Sequence, residues 1–169
     1  MRQLEKLQQH NKPYMMKKLI FILMALVGLG LPMQAQNPLN NEGDNILGYY
    51  SSRQNQDYFK VHITKKSNGT YKAQIYWLEK STDAQGNKIL DEKNPDKTLR
   101  KLPCDRIVLI DNLHYNAEKK VWDGTKVYDP QRGFKAKCVV WFDKDGNLKV
   151  KGSLMGISET VTWKKLKEK

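Results

Sequence analysis

The sequence predicts an all-β domain of about eight short antiparallel strands, folded as a sandwich or as a closed up-and-down barrel. Apolar residues alternate with polar residues in one segment after another, and turn residues separate these segments. No stretch has the spacing of an amphipathic helix. A closed barrel leaves no exposed edge strand, which favours it for an exported protein. Its interior would be just wide enough for side chains or for one small ligand.

The clearest hairpin spans residues 58–77. Phe59, Val61 and Ile63 alternate with polar residues, and the following Asn68-Gly69 pair is the strongest short hairpin signal. Further strands are predicted at residues 106–111, near 114–115, 120–122 and 125–128, and at 134–142, 148–154 and 157–166. The connection over residues 78–103 is long, so we expect it to be functional or to carry short structure of its own.

The N-terminal part has the layout of a secretory signal peptide. Lys17 and Lys18 precede the uncharged residues 19–31, and Ala35 offers a small residue for cleavage. The apolar run is shorter than the roughly 20 residues that cross a membrane, and no later segment resembles one. We expect translation to start at Met15 or Met16 and the protein to be exported, periplasmic or secreted. Residues 1–35 are then the signal peptide, residues 36–45 a flexible leader and residues 46–169 a single domain.

The predicted mature chain is basic. The first 35 residues carry five of the 30 Lys and Arg and one of the 18 Asp and Glu, which leaves a net charge of +8. Such a charge favours anionic partners, including an anionic envelope surface. Lysines that alternate with apolar residues are equally typical of a solvated strand face. Lysines also flank Trp163, but export argues against nucleic acid as the partner.

Two cysteines, Cys104 and Cys138, remain in the predicted mature chain. In an oxidising compartment they would close a disulfide loop and add roughly 3–4 kcal/mol of stability. Cys138 lies in an alternating strand, and a buried free thiol is also common. The sequence leaves both possibilities open.

Two polar clusters are candidate binding residues. Asp91, Asn94, Asp96 and Arg100 carry oxygen ligands for a hard cation, but their spacing differs from that of a calcium-binding loop. The alternative is a turn or helix cap with an internal ion pair, so we expect no metal site.

The second cluster contains Trp122, Tyr128, Asp129 and Arg132. These residues would line a barrel mouth and orient a polar head group, or else form a structural corner.

Catalytic constellations are not evident in the predicted mature chain. Its two histidines, His62 and His114, lack further zinc ligands at suitable spacing. Ser153 and Ser158 lack the glycine-flanked turn of a hydrolase nucleophile. We expect no enzymatic activity and no cofactor; hydrolysis of an envelope component is the residual alternative.

Several segments occur in the order found in the exported bacterial family called domain of unknown function 2147. They are residues 46–50, 91–96, 122–133 and 148–163, with Tyr128-Asp129-Pro130 before Gly133 the most specific. The chain resembles this family over residues 46–166. The resemblance implies a lipocalin-like antiparallel barrel, often with a small hydrophobic ligand, and implies no reaction. Phe134 and Cys104 depart from the usual family pattern.

We therefore expect a monomeric exported module that binds a small hydrophobic or amphipathic molecule. Its pocket would include the inward residues Phe59, Ile75, Trp77, Val140 and Trp163. The predicted ligand-binding residues are Trp77, Asn94, Asp96, Arg100, Trp122, Tyr128, Asp129 and Trp163. The alternative is a non-catalytic envelope interaction protein that uses its basic surface in a salt-sensitive way.

Overall fold

The structure is a computed structural model that describes residues 37–54 and 57–167. The predicted signal peptide, both candidate start residues and the lysines before the apolar run lie outside the described residues. The chain divides after Gln34, and Ala35–Lys169, here called the barrel unit, contains every described residue. No helix among the described residues is long and apolar enough to cross a membrane.

Eight antiparallel strands close into one barrel in chain order, which confirms the barrel and excludes the sandwich. The strands are β1 (Gly48–Gln54), β2 (Asp57–Lys65), β3 (Tyr71–Leu78), β4 (Val108–Asn116), β5 (Val121–Asp129), β6 (Phe134–Phe142), β7 (Leu148–Leu154) and β8 (Ile157–Lys165). The predicted hairpin over residues 58–77 is β2 and β3, joined through Asn68 and Gly69.

The middle of the barrel differs from the prediction. Residues 106–128 were expected to form four strand segments, whereas β4 and β5 are two continuous strands. Asn112 in β4 and Gly124 in β5 adopt positive φ angles of 53° and 82°. These two residues interrupt the alternation of inward and outward side chains. They do not end the strands, because β4 and β5 are paired with each other and β5 with β6 on both sides of them.

One end of the barrel is filled by large side chains. Tyr50, Trp122, Phe142 and Leu148 are at most 1% exposed there. This end carries the β2–β3, β4–β5 and β6–β7 turns. The core is therefore concentrated in this half, and it fixes the strands that extend beyond it.

Residues 37–47 form a cap over the filled end. They were expected to begin as a flexible leader, but they fold into the 3-10 helices Pro38–Asn41 and Gly43–Ile46. Asn40 is buried, donates from Nδ2 to the Phe142 carbonyl at 2.9 Å and accepts from the Phe142 N–H at 2.7 Å. These paired bonds explain why a polar segment is ordered, since they satisfy strand groups that would otherwise be buried alone.

The opposite end carries the β3–β4 connection, residues 79–107. This connection contains the 3-10 helices Lys97–Leu99 and Cys104–Arg106 and two isolated β-bridges, Thr82 with Lys88 and Leu90 with Pro103. The expectation that it carries short structure of its own is correct.

Candidate functional site

A cavity of about 620 Å³ occupies the half of the barrel that large side chains leave unfilled. Residues from all eight strands line it, and most of its deeper wall is apolar. That wall includes Phe59, Ile75, Leu109, Val150, Val161 and Trp163. The inward positions Ala136 and Gly152 are small, and a Cβ placed on Gly152 would lie 3.3 Å from the Ala136 Cβ. The small side chains of Ala136 and Gly152 thus leave space on the β6 and β7 side of the cavity.

Among the described residues that line the cavity, the charged ones lie at its mouth. Arg132 Nη1 lies 2.8 Å from Glu159 Oε2 and 3.4 Å from Asp129 Oδ2. The hydrogen bond from Arg132 to Glu159 is the main reason why the pKa of the Arg132 guanidinium lies above its usual value. A second pair also lines the cavity, with Lys80 Nζ 3.9 Å from Asp57 Oδ1. At the mouth, each positively charged side chain therefore lies beside a carboxylate.

A buried carboxylate secures the β3–β4 connection beside this mouth. Asp91 is 2% exposed and accepts from Tyr128 Oη at 2.7 Å and from Asn94 Nδ2 at 2.6 Å. Burial, followed by the bond to Asp91, raises the pKa of the Tyr128 hydroxyl well above its usual value. The connection is therefore tied to β5, and Ile89 and Cys104 reach the cavity from it.

Three of the predicted ligand-binding residues, Tyr128, Asp129 and Trp163, line the cavity. Asp129 Oδ1 also accepts from the backbone N–H groups of Gln131 and Arg132 at 3.0 and 3.1 Å. It therefore belongs both to the mouth and to a structural corner, the two alternatives that the sequence left open. The Tyr128 hydroxyl, by contrast, is engaged by Asp91.

The other predicted residues lie away from the cavity. Asn94, Asp96 and Arg100 make local bonds within the β3–β4 connection: Asp96 caps Lys97–Leu99 by accepting from Thr98 N, and Arg100 Nε donates to the Asn94 carbonyl at 2.9 Å. The described residues contain no group of three His, Cys, Asp or Glu side chains suited to a metal ion.

Trp122 lies in the interior of the barrel, whereas Trp77 lies on its outer face. Trp122 and Val140 face inward in the filled half, where Trp122 Nε1 donates to the Gly43 carbonyl at 3.0 Å. Trp77 is 38% exposed on the outer face, packed edge-on against Tyr58 with Lys60 Nζ 4.7 Å from its ring centre. The expected inward position of Trp77 is wrong, because an extra residue in β3 shifts the register between Lys60 and Val61.

Several mouth residues, including Asp57, Lys80 and Glu159, were not predicted from the sequence. Glu159 was detectable, because it alternates with the cavity residues Val161 and Trp163 along β8. Lys80 has no such signal, since it follows the last paired residue of β3.

Comparison with known proteins identifies the family. The profile described as "uncharacterized protein conserved in bacteria (DUF2147)" matches residues 48–165, which include all eight strands. The chain belongs to the DUF2147 family. No match was found among curated proteins.

A solved structure shares the DUF2147 barrel. It is protein HP1028 from Helicobacter pylori, described as belonging to the lipocalin family. The two chains are 25% identical, with a TM-score of 0.57 over 73% of this chain and 84% of the other. The likeness agrees with the lipocalin-like barrel that the sequence resemblance implied.

Both cysteines of this DUF2147 chain are free thiols in the structure, which is one of the two states that the sequence left open. Cys104 lines the cavity, and burial raises the pKa of its thiol to about 11. Cys138 is 0% exposed in β6, and burial raises its pKa to about 12.

We expect Cys104 to react slowly with iodoacetamide. The thiolate is the nucleophile, so at pH 8 a thiol with so high a pKa reacts more than about tenfold more slowly than free cysteine. Mass spectrometry of timed samples measures the rate for each cysteine. Cys138 is the internal reference and should remain unmodified until the barrel unfolds. A Cys104 rate equal to that of free cysteine would contradict the raised pKa.

Proposed function

We propose that the barrel binds one small, mainly apolar molecule in its cavity. The observation that carries this proposal is the combination of the 620 Å³ volume with a deep apolar wall. Ligand pockets in proteins have volumes of roughly 300–1,000 Å³ and walls of this composition, with a few polar groups that orient the ligand. The lipocalin description of the H. pylori structure supports binding rather than catalysis.

The mouth favours a ligand whose polar end is neutral or positively charged. The charged residues lining the described cavity are three acids, Asp57, Asp129 and Glu159, and two bases, Lys80 and Arg132. An anionic head group at Arg132 would compete with Glu159 and Asp129, which already pair with that guanidinium. A hydroxyl, amide or amine can instead bond to the carboxylates without breaking these pairs.

We propose that the protein binds this molecule after export from the cytoplasm. The signal-peptide pattern of residues 1–35 supports export to the periplasm or the medium. A monomer is sufficient, because all eight strands that surround the cavity come from one chain.

The test is a titration of the barrel unit with N-phenyl-1-naphthylamine, a neutral apolar fluorophore. We expect saturable binding that Val161→Phe weakens at least about tenfold, because the added ring would occupy the cavity. The matched control is Thr160→Phe, which adds nearly the same bulk at the neighbouring exposed position of β8.

Binding that is absent, or that both phenylalanine variants weaken equally, would contradict the proposal. Thermal unfolding of both variants verifies that each barrel remains folded. Native mass spectrometry of the wild-type protein from its source would then give the mass of any retained natural ligand.

A further inference from the structure

The β7–β8 hairpin presents an apolar tip beside the mouth of the cavity. Its tip is Leu154, Met155, Gly156 and Ile157, and this name, the apolar tip, is used below. Met155 is 94% exposed, Ile157 78% and Leu154 41%. Leu154 and Ile157 also line the cavity, so the apolar surface continues from the tip into the barrel.

The choice of methionine in this turn is not explained by the fold. Leu154 pairs with Ile157, and the two residues between them have φ angles of 50° and 84°. Two-residue hairpin loops of this kind prefer Asn-Gly or Asp-Gly, because both central residues need positive φ. A methionine in that conformation is unfavourable for the backbone and gains no burial within the barrel.

Other described turns of this barrel are polar. Asn68 and Gly69 lie between β2 and β3, and Asp145 and Gly146 lie between β6 and β7. Residues 117–120 between β4 and β5 are charged apart from one alanine. The apolar tip therefore departs from the turn chemistry that the same chain uses elsewhere. Exposed apolar side chains at a position where the other turns are polar indicate an interaction site for a partner outside the barrel.

Lysines without carboxylate partners lie next to this tip. Lys126 of β5 and Lys137 of β6 are exposed and directly opposite each other, although like charges in this position repel. Lys137 in turn pairs with Ser153, the residue before the apolar tip, and Lys151 of β7 pairs with Val139. The ion pairs found between described residues involve none of these three lysines.

We propose that the apolar tip and these three lysines dock the mouth of the barrel onto an anionic phospholipid bilayer. Met155 and Ile157 enter the apolar layer, and Lys126, Lys137 and Lys151 contact lipid phosphates. A stable protein interface buries about 800 Å² on each partner through some 20–30 residues, far more than three projecting side chains supply. A small convex apolar tip flanked by cations instead matches the surface of an anionic bilayer.

Docking at this site brings the open end of the barrel to the lipid. An apolar molecule can then pass between the bilayer and the cavity along Leu154 and Ile157 without crossing water. The docking itself does not depend on the proposed ligand binding, so each can fail without the other.

The test is sedimentation of the barrel unit with vesicles of phosphatidylcholine alone or with 30% phosphatidylglycerol. We expect binding only to the anionic vesicles, and weaker binding as salt is raised. Met155→Asn should weaken it about tenfold or more, while thermal stability is unchanged or increased, because asparagine suits the positive φ of this turn. A loss of binding in this variant therefore reports docking and not unfolding.

The combined change Lys126→Gln and Lys137→Gln should weaken binding by about fivefold for each lysine removed. Its matched control is Lys119→Gln with Lys144→Gln, which removes the same charge from the turns at the opposite end. That control should bind like the wild type. Equal binding to both vesicle compositions, or binding that Met155→Asn leaves unchanged, would overturn the proposal. Absence of vesicle binding would also overturn it.

Discussion

Trp122→Ala should lower the free energy of unfolding by about 3–5 kcal/mol, the range for deleting a large buried aromatic side chain. Trp122 is 0% exposed and packs edge-on against Phe142 at a ring-centre distance of 5.7 Å. Its Nε1–H also bonds to the Gly43 carbonyl in the cap. The substitution removes both the centre of the filled half and a bond that holds residues 37–47 in place.

Urea unfolding followed by circular dichroism measures this loss. Trp77→Ala is the matched control, because it deletes the same side chain from the outer face, where Trp77 contacts Tyr58 and Lys60. Those contacts are worth no more than about 2 kcal/mol. A Trp122→Ala loss no greater than that of Trp77→Ala would show that the filled half is not the principal source of stability.

Tyr128→Phe should loosen the β3–β4 connection by about 1.5–3 kcal/mol, the range for a hydrogen bond to a charged group. The substitution removes the hydroxyl that donates to Asp91 Oδ1 and leaves a 2% exposed carboxylate with one partner fewer. Because the bond joins the connection to β5, the effect should be local opening of residues 89–104 more than unfolding of the barrel.

Hydrogen exchange measures this local opening. The amides of Asp91 and Cys104 are bonded to the carbonyls of Leu102 and Ile89, so they report directly on the connection. We expect them to exchange about tenfold faster or more in Tyr128→Phe, while amides in β6 and β7 change less. The control is Tyr115→Phe, which removes a hydroxyl that donates to the Asn40 carbonyl at 2.7 Å in the cap. Equal protection of residues 89–104 in both variants would refute the proposed role of the Tyr128–Asp91 bond.

The strands themselves were predictable because their signal is local. Alternation at Phe59, Val61 and Ile63 depends only on which face of one strand is buried, and the turn at Asn68-Gly69 depends only on its own φ angles. The same local signal gave β6 and β7 their correct limits. The family resemblance added the closed barrel to this list of strands.

The position of the cavity was not predictable in this way. It depends on which inward residues from different strands lie next to each other, such as Ala136 beside Gly152 or Trp122 opposite Val140. The extra residue in β3 turned Trp77 outward, a displacement that alternation alone does not show. Asn40 was also hidden, because its partner Phe142 lies about 100 residues away and only the folded chain brings them together.

The seam between β1 and β8 has a consequence for the order of folding. Among the described residues, the ladder of this seam pairs Tyr50 with Lys165 and Ser51 with Lys164, and Leu166 N–H donates to the Tyr49 carbonyl at 2.8 Å. Every other neighbouring pair of strands is consecutive in the chain. Apart from β3 and β4, consecutive strands are joined by short turns, but the seam must close a loop that contains almost the entire barrel. Its short ladder offsets little of that entropy, so the open meander should form first and the ring should close last. The same short seam is the line along which the ring would reopen under denaturing stress.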